Sequence, residues 1–336
     1  GSSEENKGFL HAVFCTPLRR RIQTSVMFLF TLFIISCLVI WLSCIFNPIL
    51  WIFYIPYIIF AHFLNRTQSC GGREWKIVSN FPLWKYFGSY FPARVMFEKD
   101  WFKTVEEKDQ FLFAMHPHGV VSLGVWANVL TGKGLRTYLP KLKLRVVTLP
   151  INFYVPIWRE FLLALGMIDS NAKSISSALK KNNSVGIVVG GASEALDAAP
   201  NADIHLTLNR RRGFIRIAMS RGASIVPVFS FGENDLYTTA RHPILKKIQA
   251  VVKKYVGFST PLFMGRGIFN YSFGLLPHRK PILTVFGEPI PLPKTSSPTK
   301  KQLDEYHAIY ISALKKLYYD HRQHYDPDNL CELIID

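Results

Sequence analysis

The chain has 336 residues, 49% of them hydrophobic, and a formal net charge of +17. That apolar content argues against a purely soluble protein and predicts a part embedded in a membrane, while the length allows one large domain or two small ones. The positive charge suits an anionic partner, and leaves open nucleic acid, an acidic bilayer face or a phosphate-rich cofactor.

In chain order, the first strong signal is the stretch 26–46, which carries no charged residue. As a helix it would be roughly 30 Å long, the thickness of a bilayer's hydrocarbon core. Asn47 and Pro48 break it, and a second uncharged run, 49–64, carries Pro56 near its middle. A kinked or re-entrant return segment is predicted there. Arg19, Arg20 and Arg21 precede the pair, and Arg66, Arg73 and Lys76 follow it. By the positive-inside tendency both flanks face the cytosol, so the pair reads as an anchor hairpin rather than a cleaved leader. The expected organisation is a cytosolic segment 1–21, a membrane hairpin 22–66 and a cytosol-facing domain 67–336. Glycosylation sequons at Asn65, Asn182 and Asn270 are then expected to go unused. The cysteines Cys15, Cys37, Cys44, Cys70 and Cys331 are too scattered for a metal knuckle and read as thiols in a reducing compartment.

In the remainder, apolar strand-like runs at 110–115, 144–149, 185–189, 224–231 and 281–286 alternate with helical patterns at 120–130, 158–165, 174–181, 214–221 and 299–321. This alternation predicts an α/β domain with a largely parallel sheet, whose ligands sit at strand carboxyl ends. His116, Pro117, His118 and Gly119 stand at one such end. Proline fixes one backbone angle, and glycine allows a sharp turn and close backbone approach to a ligand. A second strand ends in Gly190 and Gly191, with Glu194 just beyond. If the two strands are neighbours, imidazole and carboxylate converge. A carboxylate on the far ring nitrogen would fix the tautomer and raise the basicity of the near one. A turn with a solvated glutamate fits the same spacing.

Arg210, Arg211, Arg212 and Arg216 gather at the start of a predicted helix, where cations are unfavourable unless an anion binds; a solvated or membrane-facing basic patch fits the same residues. No third ligand accompanies His116 and His118 at metal spacing, so no metal is expected. Gly191, Ala192, Ser193, Glu194 and Ala195 approach the serine-hydrolase elbow but end in alanine where the elbow needs glycine. There is no phosphate loop or nucleic-acid module, so nucleic acid is not an expected partner.

Several blocks in order resemble the type-two diacylglycerol acyltransferase family, which also holds monoacylglycerol and wax-alcohol acyltransferases. They are the uncharged hairpin, Tyr90-Phe91-Pro92, His116-Pro117-His118-Gly119, Gly190-Gly191-Ala192 with Glu194-Ala195-Leu196, Arg212-Gly213-Phe214, Val226 through Asp235, and Gly287-Glu288-Pro289. The resemblance spans nearly the whole chain from about Leu18 onward. It implies a glycerolipid-acyltransferase-like α/β fold behind the hairpin, an endoplasmic reticulum membrane enzyme with a cytosol-facing catalytic domain near lipid droplets, and transfer of an acyl group from acyl-CoA to a lipid hydroxyl. Acyl-CoA is then a co-substrate, with no permanently bound cofactor and with a homo-oligomer left open.

Two departures matter. Val189 stands where many members have proline, which leaves the acceptor among diacylglycerol, monoacylglycerol and long-chain alcohols. Related acyltransferases keep an aspartate five residues after the histidine, whereas here Leu123 follows His118 at that distance and Val121 follows His116. Glu194 is therefore expected to steady His118. Plant members replace the first histidine with glutamate, which favours His118 as the base and His116 as support. Gly119, Gly190 and Gly191 are expected to offer oxyanion-stabilising amides, and Arg212 and Arg216, with Arg210, Arg211, Lys180 and Lys181, to hold the phosphates of coenzyme A. A serine hydrolase acting through Ser193 and a silent lipid-binding protein are the competing readings.

Overall fold

The computed structural model describes residues 17–131, 134–196, 198–200, 202–240, 261–269, 273–325 and 331–336, with positions 245 and 249. The segment 1–16, most of the expected N-terminal cytosolic segment, and the sequon at Asn270 lie outside the described residues.

Helix α1, Leu18–Phe46, is 29 residues long. It starts just before the basic run Arg19, Arg20 and Arg21, so the boundary expected at residue 21 falls in its first turns. The second apolar segment is a short 3-10 turn Pro48–Leu50, helix α2 (Trp51–Ile59) with Pro56 inside it, and a π-helix Phe60–Leu64. Proline removes one backbone donor, and the helix widens beyond it. Leu18–Phe46 and Pro48–Ser69 are both long and apolar enough to cross a membrane, with only 6% of each apolar window buried. Trp41 Nε1 donates to the Tyr54 hydroxyl at 2.9 Å, joining the two segments.

The open carbonyls at the end of the second segment are met by Arg159, a fully buried residue of helix α3 (Trp158–Ala164). Its guanidinium donates to Ala61 O at 3.0 Å, Asn65 O at 2.6 Å and Gln68 Oε1 at 2.9 Å. A helix end needs such donors where water is excluded, and a planar fork with several donors supplies them.

The domain is built on strands β1 (Arg94–Phe97), β2 (Phe111–His116), β3 (Leu144–Thr148), β4 (Met167–Asp169) and β5 (Ser184–Val188). After β6 (Ile204–Leu206) come β7 (Ser224–Phe231), the short β8 (Thr238–Thr239) and β9 (Phe263–Met264), then β10 (Leu283–Phe286) and β11 (Leu333–Ile335). Seven of them form one sheet in the order β1-β10-β7-β2-β5-β3-β4. Every neighbouring pair in it is parallel except β10 against β7. The expected α/β architecture with a largely parallel sheet and an apolar helix pair is thus observed.

β2 sits at the centre, and all its residues are buried. A strand covered on both faces reads as a continuous apolar run, which is why 111–115 shows no alternation. Phe113 and Met115 point into a core shared with Met27 and Cys37 of α1, with Trp126 and with Trp158. Leu112 and Ala114 point the other way, into a core with helices α4 (Ala172–Lys180), α5 (Gly213–Arg221) and α6 (Lys300–Tyr325). The anchor therefore packs on one face of the sheet, and three amphipathic helices cover the other.

Candidate active site

β5 and β7 flank β2 in parallel, with Met115 beside Val188 and His116 beside Phe229. Whatever follows these three strands is delivered to one edge. His116 ends β2, and the chain continues through Pro117 to His118 and Gly119.

Glu194 arrives on the short helix Ala192–Ala195 after β5 and is buried. Its Oε2 accepts the His118 backbone N–H at 3.0 Å, and its Oε1 accepts the Thr207 N–H at 3.1 Å. The convergence expected from the strand ends is real, but the contact differs from the expected one. The carboxylate holds the backbone of His118, not its ring, and lies 3.8 Å from His116 Nδ1. The ring of His118 instead places Nδ1 2.9 Å from Gly119 O. A carbonyl only accepts, so Nδ1 carries the proton and Nε2 keeps its lone pair. The correction has a simple origin: a carboxylate already engaged by two backbone donors is anchored where those donors are.

His118 is half-buried. Burial lowers its pKa, and the Gly119 carbonyl and the Glu194 charge offset this only in part. The ring is neutral at neutral pH, as a proton acceptor must be. His116 is sealed in the core at 1% exposure. Its Nε2 lies 2.9 Å from the hydroxyl of Tyr310 on α6, which donates to Ala114 O at 3.3 Å. Burial and the Glu194 charge push the Tyr310 phenol well up, so it stays a neutral hydroxyl. The two histidines thus differ in kind, one half-buried and one built into the wall.

A further carboxylate was not singled out from the sequence. Glu233 follows Gly232 at the end of β7 and is 3% exposed. Its Oε1 accepts Leu123 N–H at 2.7 Å and its Oε2 accepts Gly124 N–H at 2.6 Å. These are orphan donors at the start of the helical turn Leu123–Val125, which the π-helix Trp126–Leu130 continues. Burial raises the Glu233 carboxyl to about 7 against the pull of these two bonds. A Cβ at Gly119 would stand 2.5 Å from Glu233 Cγ, and one at Gly124 2.8 Å from its Oε2. The available signal was a glycine and glutamate at a strand end, the pattern that drew attention to Glu194.

The paired glycines have separate reasons. A Cβ at Gly190 would meet Glu194 Cδ at 1.8 Å, so Gly190 makes room for that carboxylate. Gly191 has open space around it but a φ of +61°, where a side chain is strained.

The basic cluster lies on the same edge, because Thr207 is tied to Glu194 and α5 runs away from that edge before β7 returns to it. Arg210, Arg211 and Arg216 are exposed. Arg212 is committed elsewhere than expected, since its Nε donates to Asp304 of α6 at 2.5 Å. Lys180 and Lys181 fall outside the site. They end α4 just before β5 begins, at the opposite edge, and Lys181 Nζ donates to Cys70 O at 2.6 Å. The Ser193 side chain lies outside the described residues.

Fold and site together define a membrane-associated α/β protein with two histidines, one of them half-buried, at the carboxyl edge of its central strand. The family model described as diacylglycerol acyltransferase matches residues 43–336, and the chain belongs to that family. It is 40% identical to Diacylglycerol O-acyltransferase 2 of Dictyostelium discoideum, over 91% of this chain and 93% of that one. It is 39% identical to 2-acylglycerol O-acyltransferase 1 of Bos taurus, over 93% and 95% respectively. Among solved structures, the 1-acyl-sn-glycerophosphate acyltransferase PlsC of Thermotoga maritima is similar with a TM-score of 0.40 and 12% identity, covering 85% of this chain and 96% of that one. The protein is an acyltransferase of lipid biosynthesis.

Proposed function

We propose that the protein transfers a fatty acyl group from acyl-CoA to the hydroxyl of diacylglycerol, forming triacylglycerol. The observation that carries the reading is the half-buried His118, with Nδ1 held by Gly119 O so that Nε2 carries the lone pair, at the edge where three strands end. As the hydroxyl oxygen attacks the thioester carbonyl, Nε2 takes its proton. The tetrahedral intermediate collapses with loss of the C–S bond, and the imidazolium protonates the departing thiolate. No covalent acyl-enzyme is required.

Glu194 serves this step as a positioning residue, holding the His118 backbone and lending its charge to the imidazolium. Amides around Gly119, Gly190 and Gly191 stabilise the oxyanion. Arg210, Arg211 and Arg216, on exposed positions of the same edge, take the phosphates of coenzyme A, with Arg212 held beside them by Asp304. The apolar helices keep the domain at the endoplasmic reticulum membrane, cytosol-facing and able to reach the lipid droplet surface. There they turn the search for a neutral lipid into a lateral one.

The test is a parallel assay of the purified protein in lipid nanodiscs with acyl-CoA and diacylglycerol, 2-monoacylglycerol or a long-chain alcohol. Triacylglycerol formation at the highest kcat/KM is expected, and His118→Ala should lower kcat by about 10²–10⁴-fold while acyl-CoA still binds. Preference for another acceptor overturns the substrate, and wild-type turnover in His118→Ala overturns the base.

A further inference from the structure

The strongest unassigned feature is a cavity of about 660 Å³ between the start of α1, the helix Trp84–Tyr90 and the start of β1. Its walls carry Arg19, Arg20, Lys85, Arg94 and Arg279, and among the described residues no aspartate or glutamate lines it. Five cations around one concave space raise the local potential far above that of a scattered basic surface.

The cavity is a built one. Arg279 donates to Gln23 Oε1 at 2.7 Å, Thr24 Oγ1 at 2.8 Å and Arg20 O at 2.9 Å, all on α1. Its guanidinium lies 4.2 Å from the centre of the Tyr90 ring, and the Tyr90 hydroxyl donates to Pro277 O at 2.6 Å. The charge is therefore fixed in place, while Arg20, Lys85 and Arg94 extend from exposed positions around it.

Its position also speaks to the ligand. The cavity opens at Arg19 and Arg20, where the basic first turn of α1 passes into its apolar course, the level at which a bilayer's headgroups lie. Arg94 begins β1, and Arg94 pairs with Leu283, which pairs with Phe231 at the end of β7. The cavity thus sits at the same edge of the sheet as His118. Asn128, on the helical segment that follows the histidine loop, lines it and donates to Arg94 O at 3.1 Å.

We propose that this cavity binds the phosphate group of a phospholipid headgroup at the membrane surface. Guanidinium and ammonium donors match the phosphate. The site is separate from the cluster at Arg211 and Arg216, which lies at the start of α5 on the other face of the sheet.

The experiment uses the full chain in dodecyl maltoside micelles, which carry no phosphate, titrated calorimetrically with dihexanoyl phosphatidate and with coenzyme A. The variant R20Q/K85Q/R94Q is compared with R211Q/R216Q. Weakening of phosphatidate binding by at least about tenfold in the first variant and not in the second supports the proposal. Equal phosphatidate affinity of the first variant and wild type overturns it, as does failure of wild type to bind phosphatidate, or a first variant that loses coenzyme A alone. The single variant Lys85→Glu, at an exposed position, gives the same readout if the triple variant does not fold.

Discussion

The short helical turns that follow β5 and β7 each bring a glutamate to the carboxyl edge of the sheet, yet the two carboxylates grip different halves of one segment. Glu194 holds the histidine end through the His118 N–H, and Glu233 holds the helical end through the Leu123 and Gly124 N–H groups. Both depend on glycine for room, Gly190 in one case and Gly119 and Gly124 in the other. The difference lies in what else each touches. Glu194 faces His116 at 3.8 Å, whereas the hydrogen bonds of Glu233 among the described residues come from backbone donors, and burial pushes its carboxyl up to about 7. The lesson is that this site fixes the His118 loop by clamping its backbone at both ends.

The largest expected effect comes from removing the room for one clamp. In Gly190→Ala the new Cβ would stand 1.8 Å from Glu194 Cδ, and the carboxylate cannot yield without releasing His118 and Thr207. Turnover should fall below detection, with a lowered Tm. Gly191→Ala is the control, because it meets no neighbour within 4 Å and bears only the strain of a φ of +61°, about 1 kcal/mol. Equal activity in the two variants would break the comparison.

The second effect sharpens it. Glu233→Gln keeps the shape but leaves one oxygen for two donors, so Leu123 or Gly124 N–H loses its partner at a cost of about 1–3 kcal/mol. The pH dependence carries a sign as well. Folding raises this carboxyl to about 7, so the folded chain holds the proton more tightly than the unfolded chain between the ordinary glutamate range and pH 7. Stability from this group is full below that range and is lost as pH rises through 7. Denaturant unfolding across pH 4 to 8 should show that slope in the wild type and a flatter one in Glu233→Gln. An unchanged slope would mean that Glu233 is not the group titrating.

How much of this was legible in the sequence depends on what each residue's neighbours are. His118 and Glu194 were readable because each follows an apolar strand, and parallel strands place their ends together. Glu233 satisfies the same rule but was read only as part of a family block. Tyr310 was not readable as a partner of His116, since it lies on α6 far along the chain and helical periodicity marks it only as core. The strands β1 and β4 were missed because four and three residues are too few to show a period. Arg212 was assigned to a ligand because its partner, Asp304, comes from a different element. The length of α1 was underestimated because its first turns are basic, and charge hides a helix from a hydropathy pattern.

The smallest effect tests whether the sealed histidine belongs to the clamps or to the chemistry. Tyr310→Phe removes the hydroxyl that stands between His116 Nε2 and Ala114 O and leaves the packing against Phe214 in place, with ring centres 5.1 Å apart. A buried ring nitrogen without its partner costs about 1 kcal/mol or a little more. If His116 only positions the loop, the variant loses that much stability, and kcat falls a few-fold with its pH profile unmoved. On the proposed mechanism His118 sets that profile, and its depressed pKa keeps it neutral until the pH drops below the usual imidazole range. A shift of the acidic limb of kcat/KM in Tyr310→Phe would give His116 a part in the proton transfer. The two-clamp account would then have to be rebuilt around a pair of imidazoles.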